Sequence, residues 1–162
     1  MTVNRGRNLI KASAIILTIL GVIGILSNLL ATPFNHFMYG IFNPAQVVVA
    51  IIDSGAMLVF GIFGIKFADD AQKGQTISTM GIVLLVTHFA GVAVSIYYAM
   101  SINETLWYDE TWYDIGVNAE FLANLAMSIM IGAIIFGAIL FSVPPILYII
   151  GGNMNKKNAE IQ

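Results

Sequence analysis

"DSGAMLVFGIFGIKFADDAQKGQTISTMGIVLLVTH", residues Asp53–His88, decides the fold. Its centre is polar and charged, with Lys66, Asp69, Asp70, Gln72 and Lys73 close together. Its flanks are apolar, and each continues outward into a longer run. One run spans about Ala45 to Phe67, the other about Thr76 to Met100. Each reaches the roughly 20 residues that an α-helix needs to cross hydrocarbon. The stretch therefore reads as a helical hairpin that crosses a membrane twice and turns at "DDAQ". Two further apolar runs complete the pattern, about Leu9 to Leu30 and Asn118 towards Ile150.

Composition agrees with that reading. The chain has 162 residues, 58% hydrophobic and 10% charged. A soluble domain carries about 25% charged residues, so this chain lacks the charge to cover a water-facing surface. The apolar runs are continuous and do not alternate, which disfavours a β-barrel. The expected class is all-α: a polytopic membrane protein with four transmembrane helices in an antiparallel bundle. One domain over residues 1–155 is expected, with helices near 9–30, 45–67, 76–100 and 118–150, and a polar tail over 156–162. The run after Arg5 and Arg7 is too long for a signal-peptide core and reads as a retained first helix. Pro144-Pro145 predicts a kink or helix end in the fourth, because proline removes a backbone donor and crowds the preceding turn. The chain has no cysteine, which excludes disulfides, thiol catalysis and thiolate metal sites.

Basic residues set the expected orientation. Arg5, Arg7 and Lys11 precede helix one, Lys66 and Lys73 bracket the central turn, and Lys156 and Lys157 follow helix four. All seven fall on one side. Both termini are then cytoplasmic, and the loops Thr32 to Pro44 and Ser101 to Val117 face outward. The expected location is the cell (inner or plasma) membrane, and the lipid bilayer is the first partner.

In lipid, small and polar residues bring helices together more than apolar ones do. Each helix carries such residues at helical spacing. They include Lys11, Ala14, Thr18, Gly21 and Asn28 on the first. The second offers Gln46, Ala50, Asp53 and, a little round the face, Gly61 and Gly64, the third Gly81, His88, Gly91 and Ser95. The fourth offers Glu120, Asn124, Ser128, Ala138 and Ser142. The simplest arrangement turns these stripes inward; they could instead face a second copy or another membrane protein. Asn28, Gln46, Ser54, Glu120 and Asn124 are accordingly expected inside the bundle.

Asp53 and His88 are the two titratable side chains far from either membrane edge. They lie equally far from the centre of the turn, so an antiparallel hairpin puts them at one depth. Either they form a polar clasp that fixes helix register, or they form a proton-responsive site. A pocket reaching Asp53 would favour proton coupling; a dry, close-packed contact would favour the clasp. Haem shared by His36 and His88 fails on depth, and no metal set, nucleophile or cofactor loop is legible, so neither an enzyme nor a cofactor is expected. No nucleic-acid partner is indicated.

"LWYDETWYDIG", Leu106–Gly116, holds both tryptophans and three acids. Trp107, Tyr108, Asp109, Glu110, Trp112, Tyr113 and Asp114 read as an aromatic and acidic outer rim. Such aromatics settle at headgroup level. A cation or partner site is the alternative there, although the calcium-loop ligand order is missing.

Two stretches carry a family resemblance. "GIFGIKFADDAQKGQTISTMGIVLL" (Gly61–Leu85) and "VPPILYIIGGNMNKK" (Val143–Lys157) resemble segments of small four-helix bacterial membrane proteins of unknown function. The resemblance implies a fold and a location but no activity. On this basis the first functional expectation is a structural, assembly or accessory role through helix–helix contacts. The second is a small proton-coupled transporter or channel subunit using Asp53 and His88.

Overall fold

A computed structural model of the chain describes the backbone of residues 3–39, 44–106 and 119–159, and the side chains of 5–30, 44–100, 121 and 124–157. Four long helices make up the described fold: α1 (Val3–Tyr39), α2 (Pro44–Phe67), α3 (Gly74–Leu106) and α4 (Ala119–Ala159). A 3-10 turn, Ala71–Lys73, leads into α3. All four helices are long and apolar enough to cross a membrane.

The helices form an antiparallel ring in the order α2, α1, α4, α3. Each packs on its two ring neighbours, and the α2–α3 contact is the least extensive of the four. The first turns of α1, the Asp69–Lys73 turn and the last turns of α4 meet at one end. This is the basic end of the bundle.

Close backbone approach holds that end together. A Cβ placed on Gly61 of α2 would lie 2.7 Å from the Thr18 nitrogen and 2.9 Å from the Ala14 carbonyl of α1. One on Gly152 of α4 would lie 2.7 Å from both the Gly74 carbonyl and the Ser78 nitrogen of α3. Glycine lets the helix axes draw this near, which brings the two helices into dispersion contact along the seam. The small core lies in the same half, with Ile10, Leu17, Ile77, Leu84 and Tyr148 fully buried. The α1–α2 seam stays close further out, where a Cβ on Gly24 would lie 3.0 Å from Ser54 Cβ, while added Cβ atoms on Gly55 and Gly132 would meet nothing within 4 Å. Outside this core the surface is strongly apolar: Leu30 is 73% exposed, and Val86, Ile129, Phe136 and Ile139 are nearly as open.

Polar contacts finish the basic end. Lys11 Nζ lies 2.9 Å from Asp69 Oδ2, and Arg7 Nε lies 3.1 Å from Asp69 Oδ1. The hydrogen bond from Lys11, with the charges of Lys11 and Arg7, holds the Asp69 carboxyl below its ordinary range. Asp70 caps the 3-10 turn by accepting the Gln72 N–H at 3.0 Å. Asp69-Asp70 is thus a structured turn tied to α1. The Asn155 amide of α4 donates to the Ala68 carbonyl at the end of α2 (3.0 Å), and the Tyr148 hydroxyl donates to the Phe60 carbonyl (2.6 Å).

Several boundaries differ from the sequence expectation: α3 runs on to Leu106 and α4 to Ala159, past the expected 100 and 150. No helix end occurs at Pro144-Pro145, because α4 stays helical through both. Intact ladder on either side carries the long helix past the missing donors, as tightly packed membrane helices allow. Helix α1 likewise continues past Pro33 to Tyr39, so much of the expected outer loop Thr32 to Pro44 is helical. The stretch 107–118, with Trp107, Tyr108, Asp109, Glu110, Trp112, Tyr113 and Asp114, lies outside the described residues.

Candidate functional site: an aspartate–histidine pair in an interhelical groove

Asp53 sits in α2 about 21 Å from Phe67 along the helix and about 14 Å from Pro44, at 1.5 Å per residue. His88 on α3 faces it, with Nδ1 3.3 Å from Asp53 Oδ2. The other ring nitrogen, Nε2, is 3.3 Å from the Ala138 carbonyl of α4. His88 therefore joins three helices at the level where Gly24 of α1 packs on Ser54 of α2. Its side chain is 9% exposed and that of Asp53 is 17% exposed.

The partners restrict where protons can sit. A carbonyl oxygen only accepts, so Nε2 must carry a hydrogen to bond Ala138. The line between Nδ1 and Asp53 then holds one proton. It sits on Nδ1 as an imidazolium–carboxylate pair, or on Asp53 as a neutral acid–imidazole pair. Both arrangements are neutral overall. Removing that proton leaves one net negative charge.

The second carboxylate oxygen has a weaker partner. Thr87 Oγ1 is 3.4 Å from Asp53 Oδ1 but 3.1 Å from the Leu84 carbonyl. A hydroxyl has one proton to give, so the Leu84 carbonyl competes with Asp53 for it, and a carboxylate oxygen has a second lone pair besides. Asp53 Oδ1 is left able to accept from a group in the adjoining space.

That space is a half-open cavity of about 180 Å³ between α2 and α3. Asp53 and His88 form one end of it. It continues past Val49 and Gly91 to Gln46 and Ser95, nearly two turns further from the basic end. Ala50, Val92 and Ile134 give it apolar walls. The groove exists because α2 and α3 pack least closely of all neighbours, and because Gly91 puts no side chain across it. The nearest atom to a Cβ built there is Val49 Cγ1 at 3.6 Å.

The remaining expected interior residues fall in different places. Ser54 is buried against Gly24 of α1. Gln46 lines the groove. Asn28 is half-buried, its amide donating to the Gly24 carbonyl of its own helix at 2.8 Å. Asn124 departs from the expectation: it is exposed on α4, as is Ser128. Asn124 lies five full turns from buried Ser142 and so on the same face of α4, but near the outer end of the helix, where its neighbours Leu125 and Ile129 are exposed as well. Glu120 lies in the first turn of α4, its side chain outside the described set. Among the described residues no cluster of three His, Asp or Glu side chains could hold a metal ion.

Sequence reading missed Tyr148 and Asn155. Tyr148 carries a polar group among apolar neighbours, whereas Asn155 sits in the polar stretch "NMNKK" and gives no such signal. Comparison with family models, with curated proteins and with solved structures finds no match.

Proposed function

We propose that this chain is a small multipass protein of the cell membrane, with both termini and the Asp69–Lys73 turn on the cytoplasmic side. Asp53 and His88 serve it as a proton-responsive site, in the manner of a small transporter or channel subunit. The membrane assignment draws on four long apolar helices, a surface rich in exposed apolar side chains, and seven basic residues at one end. One observation carries the proton assignment: a cavity reaches Asp53 beside its 3.3 Å contact with His88 Nδ1. Ionisable groups inside a membrane are costly, and they mark ion and proton pathways.

A structural, accessory role is the second reading. It is favoured by His88 bridging α2 and α4, which lie across the ring from each other. Reconstitution in liposomes with an internal pH dye separates the two. Under an imposed gradient, wild type is expected to move protons and Asp53→Asn is expected to lose that flux. Equal behaviour of the two proteins would leave the clasp as the function of the pair.

A further inference from the structure

We infer that the groove between α2 and α3 binds a small lipophilic ammonium ion on Asp53, in exchange for the proton shared with His88. This inference rests on the proton-responsive reading of the same pair. It begins from charge. The protonated site is neutral, and the deprotonated site carries one negative charge in a mostly apolar groove. An uncompensated charge there is costly. A bound monovalent cation restores neutrality. The one bond broken in the protein is the N–H or O–H bond of the shared proton: one ammonium ion enters, and one proton leaves to water.

The lining selects the kind of cation. A metal ion needs several oxygen ligands around it. Here the oxygens near one another are the Asp53 carboxylate and the Thr87 hydroxyl. Gln46 and Ser95 lie about 10 Å further along, at 1.5 Å per residue. The walls between are Val49, Ala50, Val92 and Ile134. An organic ammonium suits both features. Its N–H groups meet Asp53 Oδ1, the oxygen with the weak partner, and its hydrocarbon part lies along the valines. A cavity of about 180 Å³ limits that part to a short alkyl or single aryl group. The titratable groups facing the groove are Asp53 from α2 and His88 from α3. Helix α4 contributes Ile134 and the Ala138 carbonyl, and α1 contributes none to the lining.

The probe is 2-phenylethylamine, titrated into the full chain in weakly buffered detergent micelles while released protons are counted with a pH dye. One proton is expected to leave per amine bound. Apparent affinity is expected to rise by up to about tenfold per pH unit while the shared proton is being displaced. Asp53→Asn is expected to abolish binding. Gly91→Leu keeps both members of the pair and fills the groove, so it is also expected to remove binding, with thermal unfolding followed in parallel to show that the variant is folded. Binding without proton release, undiminished binding to folded Gly91→Leu, or no binding to wild type would each overturn the inference. Asp53-dependent proton flux in liposomes without amine binding would overturn the ammonium assignment alone. Loss of both would overturn the proton-responsive reading with it.

Discussion

Gly61→Ala is expected to destabilise the bundle by about 3 kcal/mol, the upper part of the usual range for overpacking. The new Cβ would sit 2.5 Å from Thr18 Oγ1, 2.7 Å from the Thr18 nitrogen and 2.9 Å from the Ala14 carbonyl. The last two are backbone atoms of α1 and cannot rotate aside. The helices must part instead, and the dispersion along their whole seam weakens with distance. Gly55→Ala is the matched control, because its Cβ meets nothing within 4 Å. That change is expected to be neutral or to stabilise by a few tenths of a kcal/mol, since alanine is the better helix former. Unfolding of the purified protein in detergent measures both. Equal stability of the two variants would mean that the α1–α2 seam is not closed by glycine.

The second large effect concerns His88. His88→Leu leaves Asp53 without its partner in a groove only partly open to water. Removing one member of a buried pair costs about 3–5 kcal/mol. The 17% exposure of the Asp53 side chain puts the expected loss near the lower limit. The double change Asp53→Leu/His88→Leu is expected to recover most of that stability, because apolar replacements remove the stranded charge as well. The same unfolding assay ranks the variants. A double variant as unstable as the single one would show that Asp53 and His88 are not energetically coupled.

Helix number, antiparallel order and the depth of the polar pair were legible from the sequence for a common reason. Each depends on distance along a regular helix, and distance along a helix is set by residue count. Asp53 and His88 are equally far from the central turn, and they lie 3.3 Å apart. Ring order was not legible. Sequence neighbours α2 and α3 pack least closely, while α1 and α4, at opposite ends of the chain, pack side by side. That choice depends on how glycine surfaces such as Gly6 and Gly151 fit each other in three dimensions. The groove follows from the loose α2–α3 seam, so it was hidden too. Pro144-Pro145 misled because a proline's local cost says nothing about the length of helix and packing that offset it. Asn124 misled because it shares a face of α4 with buried Ser142 but lies near the outer end of the helix, where its neighbours are exposed as well.

The central claim is that Asp53 and His88 share a titrating proton. The chain has two histidines, so a His36→Gln background leaves His88 as the only imidazole signal. Nitrogen-15 magnetic resonance of that ring, recorded in lipid bilayers across pH, reads the occupancy of Nδ1 and Nε2 directly. The expected result is that Nε2 stays protonated against the Ala138 carbonyl. The Nδ1 signal is expected to move with pH, and its midpoint is expected to differ in Asp53→Asn. An Nδ1 signal that is constant from about pH 5 to 8, the window in which histidine ordinarily titrates, and unchanged by Asp53→Asn, would contradict it.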